Sequence, residues 1–273
     1  RSGPGHKSQA PAEVVARLER FLGKRIDGPI AISDVRSLAG GSSKEQFAFH
    51  LSARGHDGDY VLRLDPAASI VETHRLREFQ ATRALAGVMP TAEAMWCDPE
   101  GDELGQSAII SAFRQGVTRP PSEGPYTPRQ GLGAHYRALL TPQFIRHMAA
   151  LATFNWRAAE LDAFDKPADG SSEGVLWALN GWRRVWEEDA VEANALVTLA
   201  YHWLREHAPP IDHVSLVHGD FRAGNFLFDP DTAQITAMLD WEMVHLGDQS
   251  SASRLGKAQK RGKRPAHSIA PGM

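Results

Sequence analysis

The sequence predicts an α+β fold with two parts, a small antiparallel sheet followed by a mainly helical region. Three observations support this prediction. Short apolar runs separated by turn residues fill residues 30–64, as is typical of strands. A charged helical pattern at residues 70–88 then leads into a further strand near 107–112. Beyond a stretch rich in Pro and Gly at 116–131, apolar residues recur at helical intervals.

The first part should begin with an amphipathic helix, because Val14, Leu18 and Phe21 recur at helical spacing. Its clearest strands are 46–51 and 60–64. The polar, glycine-bearing segment between them, residues 53–59, is expected to form the loop of a hairpin.

The second part should contain helices at 144–164, 175–189 and 190–206, where apolar residues repeat with the period of a helix. After them, residues 226–228 and 235–239 form two short apolar runs around the turn at 229–231. These runs predict a second hairpin.

Four segments follow from these patterns. Residues 1–29 form an amino-terminal extension and helix, and 30–115 form a sheet-containing lobe. Residues 116–248 form a helical lobe, and 249–273 form a basic tail without enough apolar residues to fold alone.

The composition is that of an ordinary soluble protein. With 42% hydrophobic residues among 273, the chain buries a sizeable core. A formal net charge of −3 gives no overall field that attracts nucleic acid, and the single Cys97 excludes an internal disulfide framework. Because no run approaches the ~20 apolar residues that span a bilayer, we expect no membrane partner and a cytoplasmic location.

The residues with the clearest chemical meaning lie between 216 and 242. A strand-like apolar run ends in His218-Gly219-Asp220, and Asn225 follows five residues later. Phosphoryl transfer requires a carboxylate that orients the acceptor hydroxyl and accepts its proton, which is the role predicted for Asp220.

A magnesium site is predicted beside this carboxylate. The hairpin after Asn225 returns the chain to Asp240, so the two side chains should lie close together. Mg²⁺ prefers oxygen ligands and keeps several waters, so one amide, one carboxylate and the phosphates of ATP suit it. His218 is expected to brace this segment through hydrogen bonds.

The segments VHGDFRAGN and MLDWEMVHLGD resemble the signature of the aminoglycoside phosphotransferase and choline kinase family. They are closest to the branch that is also found fused to acyl-CoA dehydrogenase domains. The resemblance implies a protein-kinase-like fold of two lobes and ATP-dependent transfer of the γ-phosphoryl group to a hydroxyl of a small molecule. The sequence predicts neither the oligomeric state of the protein nor the identity of the acceptor molecule.

The resemblance also implies nucleotide-binding residues in the first lobe. Arg63 occupies the place of the strand cation that holds the α and β phosphates, and Glu78 that of its helix partner. Arginine replaces the commoner lysine, and its guanidinium is not a geometric equivalent of an ammonium group. A phosphate-covering loop is expected at four residues, Gly40, Gly41, Ser42 and Ser43.

Other interpretations remain open at this point. Arg63 and Glu78 could be an ordinary surface ion pair, and Asp220, Asn225 and Asp240 could cap turns. A non-catalytic nucleotide-binding module is the main alternative to an enzyme.

The carboxyl end departs from the family. Relatives continue after residue 248 with further helices, whereas this chain has a polar tail with six Lys or Arg between 254 and 264. We interpret it as truncated or frame-shifted. A nucleic-acid-binding arm is the functional alternative, but the tail lacks interleaved aromatic residues, so no nucleic-acid partner is expected.

Overall fold

In the computed structural model, the chain is described over residues 11–38, 45–65, 74–121 and 131–248. The first part contains an antiparallel sheet of five strands that lie side by side in the order β1, β2, β3, β5, β4. In chain order these are β1 (Ile30–Ser37), β2 (Glu45–Ala53), β3 (His56–Leu64), β4 (Ala94–Asp98) and β5 (Ala108–Ala112).

The predicted amino-terminal helix is confirmed as α1 (Pro11–Gly23), and it packs against this sheet. Its apolar stripe closes one hydrophobic cluster with the inward-facing residues of the strands. The members of this cluster with no exposed surface are Leu18, Leu22, Leu51, Ala108 and Ile110.

The hairpin between β2 and β3 is tighter than predicted. Ala53 pairs with His56, so only Arg54 and Gly55 form the turn, and Gly55 has a φ of 76°. The expected loop 53–59 was therefore wrong over most of its length. Its polar residues belong to strand ends that extend into solvent, where a sheet does not need apolar side chains.

The helix predicted at 70–88 is found as α2 (Arg75–Ala84), and residues 66–73 lie outside the described ranges. This helix carries part of the second core on one face. Ala81, together with Leu85 and Met89 that follow it, packs in the hydrophobic cluster of the carboxyl part.

Three helices form the outside of the second part, namely α3 (Gly133–Ala152), α4 (Glu173–Asp189) and α5 (Ala195–Glu206). The prediction of a helix at 144–164 was wrong at both ends. The helix begins earlier because it continues through Pro142, and it ends at Ala152. The apolar residues Trp156, Leu161 and Phe164 instead lie in an irregular segment that packs in the core.

Two small antiparallel pairs of strands flank the polar segments that carry the predicted site residues. β6 (Ser215–Val217) pairs with β9 (His245–Gly247), and β7 (Phe226–Phe228) pairs with β8 (Ile235–Met238), which confirms the predicted second hairpin. Phe226 and Phe228 are buried in the second core.

The chain passes from the sheet to the second part across this hairpin. Val117 exchanges backbone hydrogen bonds with Phe228. Gly116 has a φ of 144°, and a Cβ there would lie 2.8 Å from Thr236 Oγ1 and 3.0 Å from the Phe228 carbonyl oxygen. Glycine therefore permits the close crossing, near the lobe boundary that we propose. Among the described residues, no helix is long and apolar enough to cross a bilayer.

Candidate functional site

The predicted catalytic segment leaves the end of β6 through a tight bend. Gly219 has a φ of 84°, in the left-handed region, and a Cβ on it would lie 2.5 Å from Met243 Cβ. Only glycine adopts this conformation without strain and without displacing Met243. The bend places Asp220 at the mouth of the β6–β9 pair, with its side chain 36% exposed.

Asn225 holds the Asp220 side chain. Its amide nitrogen donates to Asp220 Oδ2 at 2.7 Å and to the Asp220 carbonyl oxygen at 3.0 Å. Asn225 is itself buried. Because the amide nitrogen faces Asp220, the amide oxygen is the atom that is left to bind a cation.

The chain returns to Asn225 at Leu239, the residue before Asp240. The backbone N–H of Leu239 donates to the Asn225 carbonyl oxygen at 2.9 Å, which brings the end of β8 against the start of β7. Asp240 has φ 65° and ψ 56°, a left-handed conformation at the start of the short 3-10 helix Trp241–Met243. A strained residue of this kind persists where its surroundings fix it, and such residues cluster at functional sites.

His218 links the two segments of the site through hydrogen bonds. Its Nε2 donates to the Leu239 carbonyl oxygen at 2.8 Å, and its Nδ1 accepts the backbone N–H of Asp220 at 3.3 Å. The ring is fully buried, and its centroid lies 4.4 Å from that of Trp241. Burial lowers the pKa of His218, so the imidazole is neutral, as one donor and one acceptor require.

Arg63 and Glu78 form an ion pair across β3 and α2. The side chain of Arg63 is 17% exposed and that of Glu78 is 5% exposed, so this is not the surface pair that the sequence left open. Burial, and then the charge of Arg75, lower the pKa of Arg63 to about 9, whereas Asp240 and Asp65 oppose the shift. The negative charge of Asp240 therefore acts on Arg63.

Two buried residues beside the ion pair of Arg63 and Glu78 were not predicted from the sequence, namely Arg75 and Asp65. Arg75 forms ion pairs with both Glu78 and Asp65. The spacing of three residues between Arg75 and Glu78 on a helix could have indicated one of these contacts.

Arg222 was also missed. Its Nε donates to Asp220 Oδ2 at 2.8 Å, and its side chain is 58% exposed. The two residues are separated by one position in the sequence, a spacing that gives no periodic signal. The predicted phosphate loop, Gly40, Gly41, Ser42 and Ser43, lies outside the described residues.

Known proteins resemble this chain in sequence and in fold. The mouse protein acyl-CoA dehydrogenase family member 10 is 25% identical over 234 residues, which cover 85% of this chain and 20% of the mouse protein. Chicken acyl-CoA dehydrogenase family member 11 is 28% identical over 239 residues, with coverage of 84% and 29%. The chain thus spans less than a third of the length of these curated relatives.

A solved structure with a similar fold is that of a Ralstonia eutropha protein provisionally called an aminoglycoside phosphotransferase. It superimposes with a TM-score of 0.61 at 24% sequence identity, over 88% of this chain and 68% of that one. This likeness confirms the kinase-like α+β fold of two lobes. A sequence model of the phosphotransferase enzyme family matches residues 34–250, most of the chain. The chain therefore belongs to the phosphotransferase enzyme family.

Proposed function

We propose that the chain transfers the γ-phosphoryl group of ATP to a hydroxyl group of a small molecule. The observation that carries the proposal is that Asn225 forms hydrogen bonds with two separate segments of the site. Its side chain holds Asp220, and its backbone oxygen holds Leu239, the neighbour of Asp240. These contacts support a site that combines the proposed proton acceptor with the two proposed oxygen ligands, which three independent turn caps would not require.

Asp220 is the proposed general base. Both Asn225 and Arg222 donate to its Oδ2, so its Oδ1 is the oxygen proposed to face the acceptor hydroxyl. The hydroxyl oxygen forms a bond to the γ-phosphorus while the bond from that phosphorus to the bridging oxygen breaks. The proton of the hydroxyl goes to Asp220, and ADP leaves.

The residues present fit a magnesium nucleotide. Asn225 and Asp240 offer one amide and one carboxylate oxygen, a ligand set suited to Mg²⁺ that retains waters. Arg63 Nε is buried and has no hydrogen-bond partner among the described residues, so a donor is available for a phosphate oxygen. When bound, magnesium supplies neutralisation of the charge on the phosphates. We assign Asn225 and Asp240 to the metal, Arg63 to the phosphates and Glu78 to positioning Arg63.

A non-catalytic nucleotide-binding module remains the second candidate. It is favoured by Arg63, because a guanidinium in place of an ammonium alters the position of the phosphates. The two candidates differ in one measurable respect. Both bind ATP with magnesium, but only the enzyme turns it over in the presence of an acceptor.

The test is a screen for ATP consumption with aminoglycosides, macrolides, choline-like amines, sugars and hydroxyacyl compounds as acceptors. ATP binding is measured in parallel with magnesium and with excess chelator. We expect binding that requires magnesium and turnover with at least one acceptor class. Binding without turnover supports the second candidate, and equal binding in chelator contradicts the proposed metal site.

A further inference from the structure

Two charged side chains lie buried behind the ion pair of Arg63 and Glu78. The Arg75 side chain is fully buried, and that of Asp65 is 9% exposed. Arg75 begins α2, and Asp65 follows directly after β3. Burying a guanidinium and a carboxylate costs free energy unless each is well paired, so their presence here requires an explanation.

The four side chains form a line of alternating charge. Asp65 Oδ1 accepts from one terminal nitrogen of Arg75, and the other terminal nitrogen donates to Glu78 Oε2. Glu78 Oε1 accepts from Arg63. Each oxygen of Glu78 thus holds one arginine, and two positive charges balance two negative ones.

This line is anchored to the sheet. The backbone N–H of Asp65 donates to the Ser107 carbonyl oxygen at 2.9 Å, and Arg63 pairs with Ile109 of β5. Glu78 lies on the helix and contacts both arginines. Because a carboxylate held at both oxygens cannot rotate freely, the Arg75 contact sets the direction in which Glu78 holds the planar guanidinium of Arg63.

We propose that Arg75, anchored by Asp65, is a positioning residue for nucleotide binding, which orients Arg63 toward the phosphates by fixing Glu78. The inference rests on the proposed function. Arg75 itself does not contact the nucleotide. Its effect passes through Glu78 to Arg63, whose Nε is buried without a partner among the described residues.

The test removes one ion pair, whose two charges cancel. The double variant Asp65→Ala with Arg75→Met deletes one charge of each sign and leaves the pair of Arg63 and Glu78 intact. Replacement of a buried ion pair by apolar side chains is often tolerated, so the variant should fold. We expect its Kd for ATP with magnesium, measured by calorimetry, to rise about 10-fold, a typical loss when an outer partner of a ligand is removed.

A matched control removes another ion pair of the same lobe. Arg25 and Glu103 pair near the end of α1. The double variant Arg25→Met with Glu103→Ala should leave the Kd unchanged.

A cycle with Arg63→Met separates positioning from structure. In that background, removing Asp65 and Arg75 should weaken binding no further, because their effect passes through Arg63. An additive loss would mean that they act on the fold alone and would overturn the proposal. If the double variant does not fold, Asp65→Asn and Arg75→Lys are measured instead. Wild-type affinity in both overturns the proposal, and a higher Kd supports it.

The outcome for the unmodified protein separates the two claims. Failure of the wild-type chain to bind ATP with magnesium contradicts the proposed function itself. Normal wild-type binding with unchanged affinity in the folded double variant contradicts only the role of Arg75.

Discussion

At Asp220, two donors from different positions meet a single carboxylate oxygen. Asn225 is buried and fixed by the β7–β8 hairpin, whereas Arg222 is more than half exposed. The hydrogen bond from the buried amide therefore fixes the geometry, and the exposed ion pair contributes little to stability. A substitution at Asp220 should then affect chemistry more than folding.

We expect Asp220→Asn to retain ATP binding and to lower turnover at least ~100-fold, the scale on which a positioned general base acts. The asparagine keeps the size of the side chain but is a poor proton acceptor. Steady-state kinetics and calorimetry measure the two effects. Asp102→Asn, at an exposed position away from the site, is the matched control. A near-wild-type rate in Asp220→Asn would remove Asp220 from the role of base.

Gly219→Ala should destabilise the fold and abolish most turnover. The left-handed backbone alone costs a non-glycine residue ~1–2 kcal/mol, and the added Cβ also collides with Met243. Urea unfolding measures the loss. Gly58→Ala is the control, since a Cβ there meets nothing within 4 Å and its backbone is ordinary. Equal stability of the two variants would show that the bend at Gly219 relaxes without cost.

At the scale of elements, the sequence predicted the helices and strands that are determined by nearby residues. The strands of the two hairpins, the helices α1 and α4 and the order of the site residues all follow from periodicity and turn chemistry. The start of α3 was missed because Pro142 lies inside the helix, where proline ordinarily breaks the pattern.

Errors arose where tertiary contacts decide the structure. Trp156 leaves the helical path and donates from its indole to the Val214 carbonyl oxygen at 2.8 Å, a contact between positions 58 residues apart. Likewise, Arg75 looks like a solvated helix residue in the sequence, and only the fold brings it to Asp65. The strand β4 was missed because it is short and lacks a clear alternation.

The helices α4 and α5 carry large apolar side chains on exposed faces. Trp182 is 57% exposed on α4, and Leu196 and Trp203 are 76% and 56% exposed on α5. Exposed apolar area of this extent on neighbouring helices favours association with apolar molecules.

We expect the double variant Trp182→Gln with Trp203→Gln to bind clearly less of an apolar fluorescent dye than the wild type, with its affinity for ATP and magnesium unchanged. Neither tryptophan is among the residues that contact Asp220 in the site described above. Tyr201→Phe, on the same helix as Trp203, serves as the control because it removes a hydroxyl group, which donates to Asn180 Oδ1 at 2.8 Å, and leaves the exposed tryptophans in place. Unchanged dye fluorescence in the double variant would place the dye-binding surface elsewhere.

Across the whole molecule, two hydrophobic clusters form the cores of the two parts. One lies between α1 and the sheet, and the other gathers the residues around β6 to β9 together with part of α2. His218 packs against Trp241 of the second cluster, and His245 is the first residue of β9. Burial lowers the pKa of both His218 and His245 from 6.5, so folding holds them neutral.

This burial makes stability depend on pH. A histidine with a lowered pKa in the folded state binds fewer protons there than in the unfolded state, so acid favours unfolding. His50 acts in the opposite direction, because Asp59 raises its pKa and its protonation favours the folded state. Hydrogen bonds from Arg25 and Lys24 lower the pKa of Glu103 to about 2, so the stability that Glu103 contributes is lost only below the ordinary titration range of a glutamate.

We therefore expect the free energy of unfolding to fall as the pH is lowered from ~7.5 to ~5, through the unfolded pKa of histidine. His218 and His245 together should outweigh His50, because the His218 ring is fully buried and His245 is partly buried, whereas the His50 side chain is 36% exposed. Urea titrations at several pH values measure the slope. His50→Gln should make the loss steeper, since it removes the one opposing histidine identified on the sheet. Suppose instead that the wild-type stability stays level or rises toward pH 5. The rings of His218 and His245 would then accept protons in the folded protein, and the tautomer assigned to His218 would be wrong.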